Sequence, residues 1–247
     1  MTPEDRGAFD SALTALKEGR ADDAIATLEA LADRGVVGVG IAFDRGLAYA
    51  ARARAGGGLP GDLGRSAHAF EEALRRDPHD RSARTALDEV RREIARREIA
   101  AGWKAEEVGS PPMWRAIVVA SPADGWASLS IVGSLMVSVA LGVRPFARRG
   151  ARLAASTVAI VGAVLVIAAT ALGLGARYLR LRVHEAVVVA PHVVTTPLDG
   201  GEPIKLVEGT RVDLVDERLS EARVRTGKGE EGWVPRDSLR SLPPYRP

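Results

Sequence analysis

Four histidines, several adjacent carboxylate pairs (Asp22-Asp23, Glu71-Glu72 and Glu230-Glu231 among them) and no cysteine are what this 247-residue chain offers for chemistry. His68, His79, His184 and His192 never fall at the spacing by which two imidazoles on one helix face take up a metal ion. His184 and His192 bracket a β-prone stretch and could meet a carboxylate there, which keeps acid–base catalysis open as one reading. Asp22-Asp23, Glu71-Glu72 and Glu230-Glu231 are expected on exposed helix faces or in a turn. Neighbouring side chains on a helix point about 100° apart, so such pairs make poor acid–base partners. The absence of cysteine excludes disulfides, thiolate nucleophiles, cysteine metal knuckles and iron–sulfur clusters. Glycine clusters lie in loops without the strand before and helix after that a phosphate loop or dinucleotide fingerprint requires, and no serine elbow occurs. The residues therefore predict a non-enzyme with no catalytic, metal or cofactor site.

What must hold the chain in place is read from its middle. Gly125–Val143 and Leu153–Ala176 contain no charged residue, and the loop 144–152 between them holds Arg144, Arg148, Arg149 and Arg152. At ~1.5 Å per residue the two stretches reach roughly 28 and 36 Å, against a hydrocarbon core of ~30 Å. The spacing predicts two transmembrane helices forming a hairpin. Whole-chain composition hides them, because 27% of residues are charged and the mean hydropathy is near zero. A pI near 9.2 accompanies a formal charge of only +2, and no stretch interleaves basic and aromatic residues, so no nucleic-acid partner is implied.

Small residues recur every four positions in both spans. Ser130, Ser134, Ser138 and Gly142 line the first, and Ala155, Ala159, Ala163 and Ala171 line the second. Such stripes let helix backbones approach in lipid, so the hairpin is expected to pack along them. Neither span contains an ionisable residue, which argues against a proton or ion path. Residues 99–124 read as a linker whose apolar patch, Ile117–Ala120 between Trp114 and Pro122, is too short to cross. Trp126 and Tyr178 are expected at one membrane surface. The arginine density of the loop favours a cytoplasmic loop and soluble parts outside, although Arg115, Arg177, Arg180 and Arg182 flank the other side. The first residues show no signal-peptide pattern.

Residues 1–98 read as short amphipathic helices. Pro3, Glu4 and Asp5 start the first, Phe9, Leu13 and Leu16 repeat at helical spacing, and Gly19 marks a turn. Ala24, Leu28 and Leu31 continue a second. Phe43, Leu47 and Tyr49, then Ala69, Phe70, Ala73 and Leu74, make another pair across a flexible loop, Gly56–Gly61. Pro78 precedes a charged helix from about Asp80 to Arg97. Ala12 and Gly46 at close contacts, Tyr49 after Gly46, and Ala73-Leu74 before Asp77-Pro78 resemble tetratricopeptide repeats. The long glycine loop and a first repeat without its terminal proline depart from that pattern. The resemblance implies a concave, peptide-binding groove carrying Phe9, Asp10, Leu13, Lys17, Phe43, Asp44, Leu47, Glu89 and Arg92. The plainer reading of these residues is an ordinary helical bundle surface.

From Glu185 the period shortens. Ala186–Ala190, Ile204–Leu206, Arg211–Val215, Ala222–Thr226 and Gly232–Val234 read as strands between turns at Asp199–Gly201, Glu208-Gly209 and Gly227–Gly229. Residues 184–242 suit a small barrel, and Gly232-Trp-Val-Pro235 followed by Leu239 resembles a bacterial SH3-type domain. Trp233 is expected to pack inside that barrel, and the scarcity of aromatic residues excludes a polyproline site. Thr195, Thr196 and Glu202 form a polar loop.

The order of parts predicts a multidomain membrane protein: all-α tetratricopeptide-like repeats, a two-helix transmembrane hairpin and an all-β SH3-like barrel. It resembles the BatE-type proteins of bacterial aerotolerance operons. That resemblance implies a membrane-anchored interaction scaffold of the envelope, in the bacterial inner membrane, with its soluble parts in the periplasm. It also implies protein partners bearing von Willebrand factor A domains and a MoxR-type ATPase. Two alternatives stand beside it. One is an envelope sensor whose barrel binds cell-wall peptides, and the other is a cryptic enzyme using His184 or His192.

Overall fold

The computed structural model describes residues 1–56, 58–102, 123–146, 148–182, 184–198 and 202–244. The linker patch around Trp114 and Ile117–Ala120, and the side chain of Tyr178, lie outside the described residues. Two compact units result: Met1–Pro111 together with Val183–Arg246, and Pro112–Arg182.

Among the described residues of the first unit five α-helices precede eight strands. They are α1 (Pro3–Lys17), α2 (Ala21–Asp33), α3 (Val39–Arg54), α4 (Asp62–Arg76) and α5 (Arg81–Ala100). Thr2 starts α1 reciprocally: its hydroxyl accepts the Asp5 N–H at 3.1 Å while the Asp5 carboxylate accepts the Thr2 N–H, satisfying two otherwise orphaned donors. Asp80 caps α5 in one direction only, its carboxylate accepting from the Ser82 and Ala83 N–H groups. The helices pair antiparallel, α1 with α2 and α3 with α4, while α3 neighbours α1 on one side and α5 on the other. Ala12, Ala15, Leu28, Leu31 and Ile41 fill one core, and Leu63, Phe70, Leu87, Val90 and Ile94 a second. Gly46 stands where α4 presses closest. A Cβ there would lie 2.6 Å from the Phe70 ring, and Ser66 Oγ donates to the Gly46 carbonyl at 2.8 Å.

The strands are β1 (His184–Val188), β2 (His192–Val194), β3 (Thr196–Pro197), β4 (Lys205–Val207), β5 (Arg211–Glu217), β6 (Glu221–Arg225), β7 (Glu231–Pro235) and β8 (Leu239–Ser241). Six form an antiparallel sheet in the order β3-β7-β6-β5-β1-β8, and β2 pairs with β4. Ala186, Val188, Val193, Leu206, Val212, Val224 and Val234 close over a shared core. Alternation along β7 sends Gly232 and Val234 inward, which puts Trp233 on the outer face, since successive side chains on a strand point oppositely. Trp233 is therefore not a core residue, as its size suggests. It lies half-buried beneath the Arg218 guanidinium, 3.9 Å from the ring centre, with Arg223 at 6.0 Å. Thr195 is also structural: it is buried, its hydroxyl accepts the Ile204 N–H at 2.9 Å, and its side chain fills the space a Cβ at Gly232 would need.

The second unit is a helical hairpin of α6 (Ala123–Val143) and α7 (Arg149–Arg182). Both are long and apolar enough to cross a membrane, and only 11% of each apolar window is buried. A core helix of a soluble protein would be mostly covered, whereas here Ile131, Leu135, Ile160 and Ile167 are each at least 65% exposed. The packing seam differs from the small-residue stripes. It runs through Ser130, Gly133, Val137 and Ala140 on α6, and Ala155, Ala159, Gly162, Val166, Ala169 and Gly173 on α7. Ser134, Ser138, Gly142, Ala163 and Ala171 face outward. The physical reason is periodicity. Long contact between antiparallel helices follows alternating steps of three and four, so a strict four-residue stripe drifts off the seam. Closest approach falls at Gly133 and Gly162, where a Cβ on either would meet the other's carbonyl at 2.8 Å. Ser134 Oγ instead donates to the Ser130 carbonyl at 2.9 Å.

Candidate interaction surfaces

The first unit is organised around α4. One side of this helix, with Leu63, Ala67 and Phe70, packs into the helical core. The opposite side, which would ordinarily face water, is covered by the strands, so His68, Glu71 and Arg75 are buried there, while Asp62, Ser66 and Glu72 are buried against α3 through Arg52, the Gly46 carbonyl and Arg45. Two glycines permit the approach. A Cβ at Gly64 would sit 2.8 Å from the Val188 carbonyl and 2.9 Å from Glu208 Cβ, and one at Gly61 would collide with the Val189 carbonyl. The Gly64 N–H donates to Glu208 at 2.9 Å. Gly209, at φ +77°, turns the chain against Ile94 of α5.

A charge network fills this seam. Glu71 accepts from Arg91 at 2.5 Å and from Arg211 at 2.8 and 3.1 Å. Arg75 pairs with Glu185, whose other cationic neighbour is Arg211 at 3.6 Å, and donates to the Pro243 carbonyl at 2.9 Å. Glu72 pairs with Arg45 and, at 2.9 Å, with Arg76. Arg240 reaches back to Glu29 at 2.8 Å, which also accepts from the Tyr49 hydroxyl at 2.7 Å. Burial pushes the carboxyls of Glu71, Glu72 and Glu29 up, and their cationic partners (with the Tyr49 hydroxyl at Glu29) more than offset it, leaving all three below the ordinary carboxylate range. Burial pushes Tyr49 up to about 12, assisted by Glu29. These acids are held ionised, which suits structural anchoring rather than proton transfer.

The histidines and carboxylate pairs resolve accordingly. Glu71 and Glu72 are not on an exposed face; both are buried, Glu71 against Arg91 and Arg211 and Glu72 against Arg45 and Arg76. His68 Nε2 lies 3.0 Å from the Ser241 carbonyl, which can only accept, so Nε2 carries the proton while Nδ1 has no partner. Burial drives its pKa down to about 4. His192 lies 3.1 Å from the buried Glu98 of α5, stitching strand to helix, and it lines a 340 Å³ cleft with Val193, Pro235 and Asp237. His184 is exposed. Among the described residues no three His, Cys, Asp or Glu side chains come together as metal ligands.

The α1–α3–α5 side stays open. Phe9, Leu13, Phe43 and Leu47 are half-buried, each partly packed, with Phe43 tilted against Phe70 at 5.6 Å. Asp44 sits among them, half-buried, with its carboxyl pushed up by burial. Asp10, Lys17, Glu89 and Arg92 are exposed, and Glu89 is engaged by Arg54 at 3.2 Å. A 430 Å³ cleft opens beside Phe9, lined by Thr2, Asp5, Val36, Val37 and Ile41. The sequence therefore points to residues that share a surface, but not to the seam under α4. An i, i+3, i+4, i+7 stripe of His68, Glu71, Glu72 and Arg75 was its only signal, and such a stripe reads equally as a solvated face. Searches against protein-family models, curated proteins and solved structures found no match to this chain.

Proposed function

We propose that this chain is a membrane-anchored interaction scaffold of the bacterial envelope, in which the α6–α7 hairpin spans the bilayer and the first unit presents a docking face. The packing of α4 against β1 and β5 carries this reading. Segments on both sides of the hairpin meet in one body, so the chain must leave and re-enter the same side of the membrane, which calls for an even number of crossings. One rigid platform, rather than two swinging modules, then faces partners in the same membrane, where confinement raises effective concentration.

The helices serve as tetratricopeptide-like repeats and the strands as an SH3-like barrel that covers their α4 side, leaving the α1–α3–α5 groove as the working surface. Phe9, Leu13, Phe43 and Leu47 supply apolar contact. Asp44, with no hydrogen bond or ion pair among the described residues, supplies a carboxyl suited to a basic group on the incoming peptide. The resemblance to BatE-type proteins names the partners: von Willebrand factor A-domain proteins and the MoxR-type ATPase system, with the body in the periplasm. Photo-cross-linking in intact cells tests this. Probes at Leu13 and Leu47 should capture a von Willebrand factor A-domain protein, and a probe at exposed Lys228 should not. Equal capture at all three positions, or none, contradicts the scaffold.

A further inference from the structure

The turn between β5 and β6 and the outer face beside it carry a charged surface built from residues that the α1–α3–α5 groove does not use. We infer that Arg218, Arg223 and Leu219 bind an acidic segment of a partner protein, which sets a side-chain carboxylate on the guanidiniums and a neighbouring apolar side chain on Leu219.

The Arg218 guanidinium lies over the Trp233 ring, 3.9 Å from its centre, and Arg223 flanks the ring at 6.0 Å. Stacking fixes the plane of the Arg218 group and leaves its N–H edge to a bidentate carboxylate. Among the described residues neither guanidinium pairs with a carboxylate, and Arg223 Nε is buried with no hydrogen-bond partner. A cation drawn from water without an anion is costly, so an incoming carboxylate is favoured. The acids nearby are engaged elsewhere or out of reach. Glu231 is held by Arg225 at 2.5 Å and Glu217 by Arg236 at 3.1 Å. Asp216, opposite Arg223 in the β5–β6 register, accepts the Glu217 N–H at 3.0 Å, and Glu221 makes no ion pair with either arginine. These acids keep the patch near neutrality, which suits a singly charged carboxylate and disfavours a phosphate dianion or an anionic bilayer. Leu219, 99% exposed, supplies the apolar contact at the tip. The Arg218 N–H donates to the Glu221 carbonyl at 2.8 Å and the Arg236 N–H to the Ser220 carbonyl at 2.9 Å. The tip is thereby fixed before a ligand arrives, and little order remains to be lost on binding.

Fluorescence anisotropy of a dye-labelled peptide alternating glutamate and leucine, titrated with full-length protein in neutral detergent, tests this. The same peptide with glutamine for glutamate should bind about tenfold more weakly or worse. Arg218→Gln should weaken binding about 10- to 100-fold, the range for a lost charge-assisted contact, and Arg218→Lys should restore little of it, because lysine lacks the stacked fork. Leu219→Ser should cost about tenfold. Arg218 and Leu219 are exposed, so these variants should melt with the parent. Lys228→Gln removes the same charge from the β6–β7 turn and should leave binding within about twofold. Equal affinity for the two peptides, or equal losses in Arg218→Gln and Lys228→Gln, overturns the site. Displacement of the peptide by inorganic phosphate at comparable concentration, or tighter binding of a soluble cell-wall peptide, overturns the protein ligand.

Discussion

Replacing Glu71 by alanine should unfold the helices and the strands together. Glu71 is buried and neutralises Arg91 of α5 and Arg211 of β5 at 2.5 and 2.8 Å. Removing it takes away the carboxylate that Arg91 and Arg211 share, both of which are largely withdrawn from solvent. Breaking a buried ion pair from one side costs ~3–5 kcal/mol, mostly because a charge is left uncompensated. For a body of this size each kcal/mol lowers the melting temperature by about 2–4 °C, so the expected drop is on the order of 10 °C. Glu71→Ala/Arg91→Met/Arg211→Met should recover much of it, because an apolar replacement removes both the charges and their desolvation cost. The assay is thermal unfolding of the full-length protein in detergent, in a Trp103→Phe/Trp114→Phe/Trp126→Phe background, followed by circular dichroism for the helices and by Trp233 fluorescence for the strands. The reasoning fails if Glu71→Ala melts within 1 °C of the parent. It fails equally if the helical signal shifts while the strand signal does not.

Acid should loosen the same seam through His68. Its pKa is about 4 in the folded state against 6.5 ordinarily, so the unfolded chain binds the extra proton first. The stability this neutral histidine contributes is complete above pH 6.5 and is lost as pH falls toward 4, by roughly 3 kcal/mol in total. Arg45 and Arg240 add to the shift, whereas Glu72 and the Ser241 carbonyl oppose it. Burial raises the Glu208 carboxyl, which acts with the opposite sign, so the measurement is the melting temperature from pH 7 to 5 in parent and His68→Asn; parallel curves would count against His68. In the hairpin, Gly133→Leu should separate the helices and lower abundance in membranes, while Ser138→Leu, on the outward face, should leave both unchanged; the reverse order would restore the serine stripe. Gly64→Val should detach the strands from α4, because its Cβ would meet the Val188 carbonyl at 2.8 Å. Increased protease cleavage in residues 184–244 reports it, and a resistant variant contradicts the close approach.

The elements were largely legible and their association was not. Pro3–Asp5, Gly19, Asp80 and the apolar stripes mark helix ends and inner faces by local chemistry, and the strands from Arg211 to Pro235 follow alternation and turns. Gly46 was legible as a close contact because a missing side chain between helical stripes has few other uses. By contrast, the charged side of α4 has the same composition whether water or a complementary strand surface covers it. Its partners Glu185, Arg211 and the Ser241 carbonyl lie more than a hundred residues away. Trp233 misled because size suggests a core, while its neighbour Val234 sets the parity. The hairpin seam misled because four-residue stripes catch the eye, although packed helices step by three and four.

The absence of cysteine makes the decisive measurement clean, since single introduced thiols report without background. Ser11→Cys on α1, Lys228→Cys in the β6–β7 turn and Arg148→Cys in the hairpin loop all replace exposed residues. A membrane-impermeant maleimide applied to sealed vesicles of one orientation should label Ser11→Cys and Lys228→Cys from the same side, and Arg148→Cys only from the other. Labelling of the first two from opposite sides, or of all three from both, would contradict a single body anchored by two crossings.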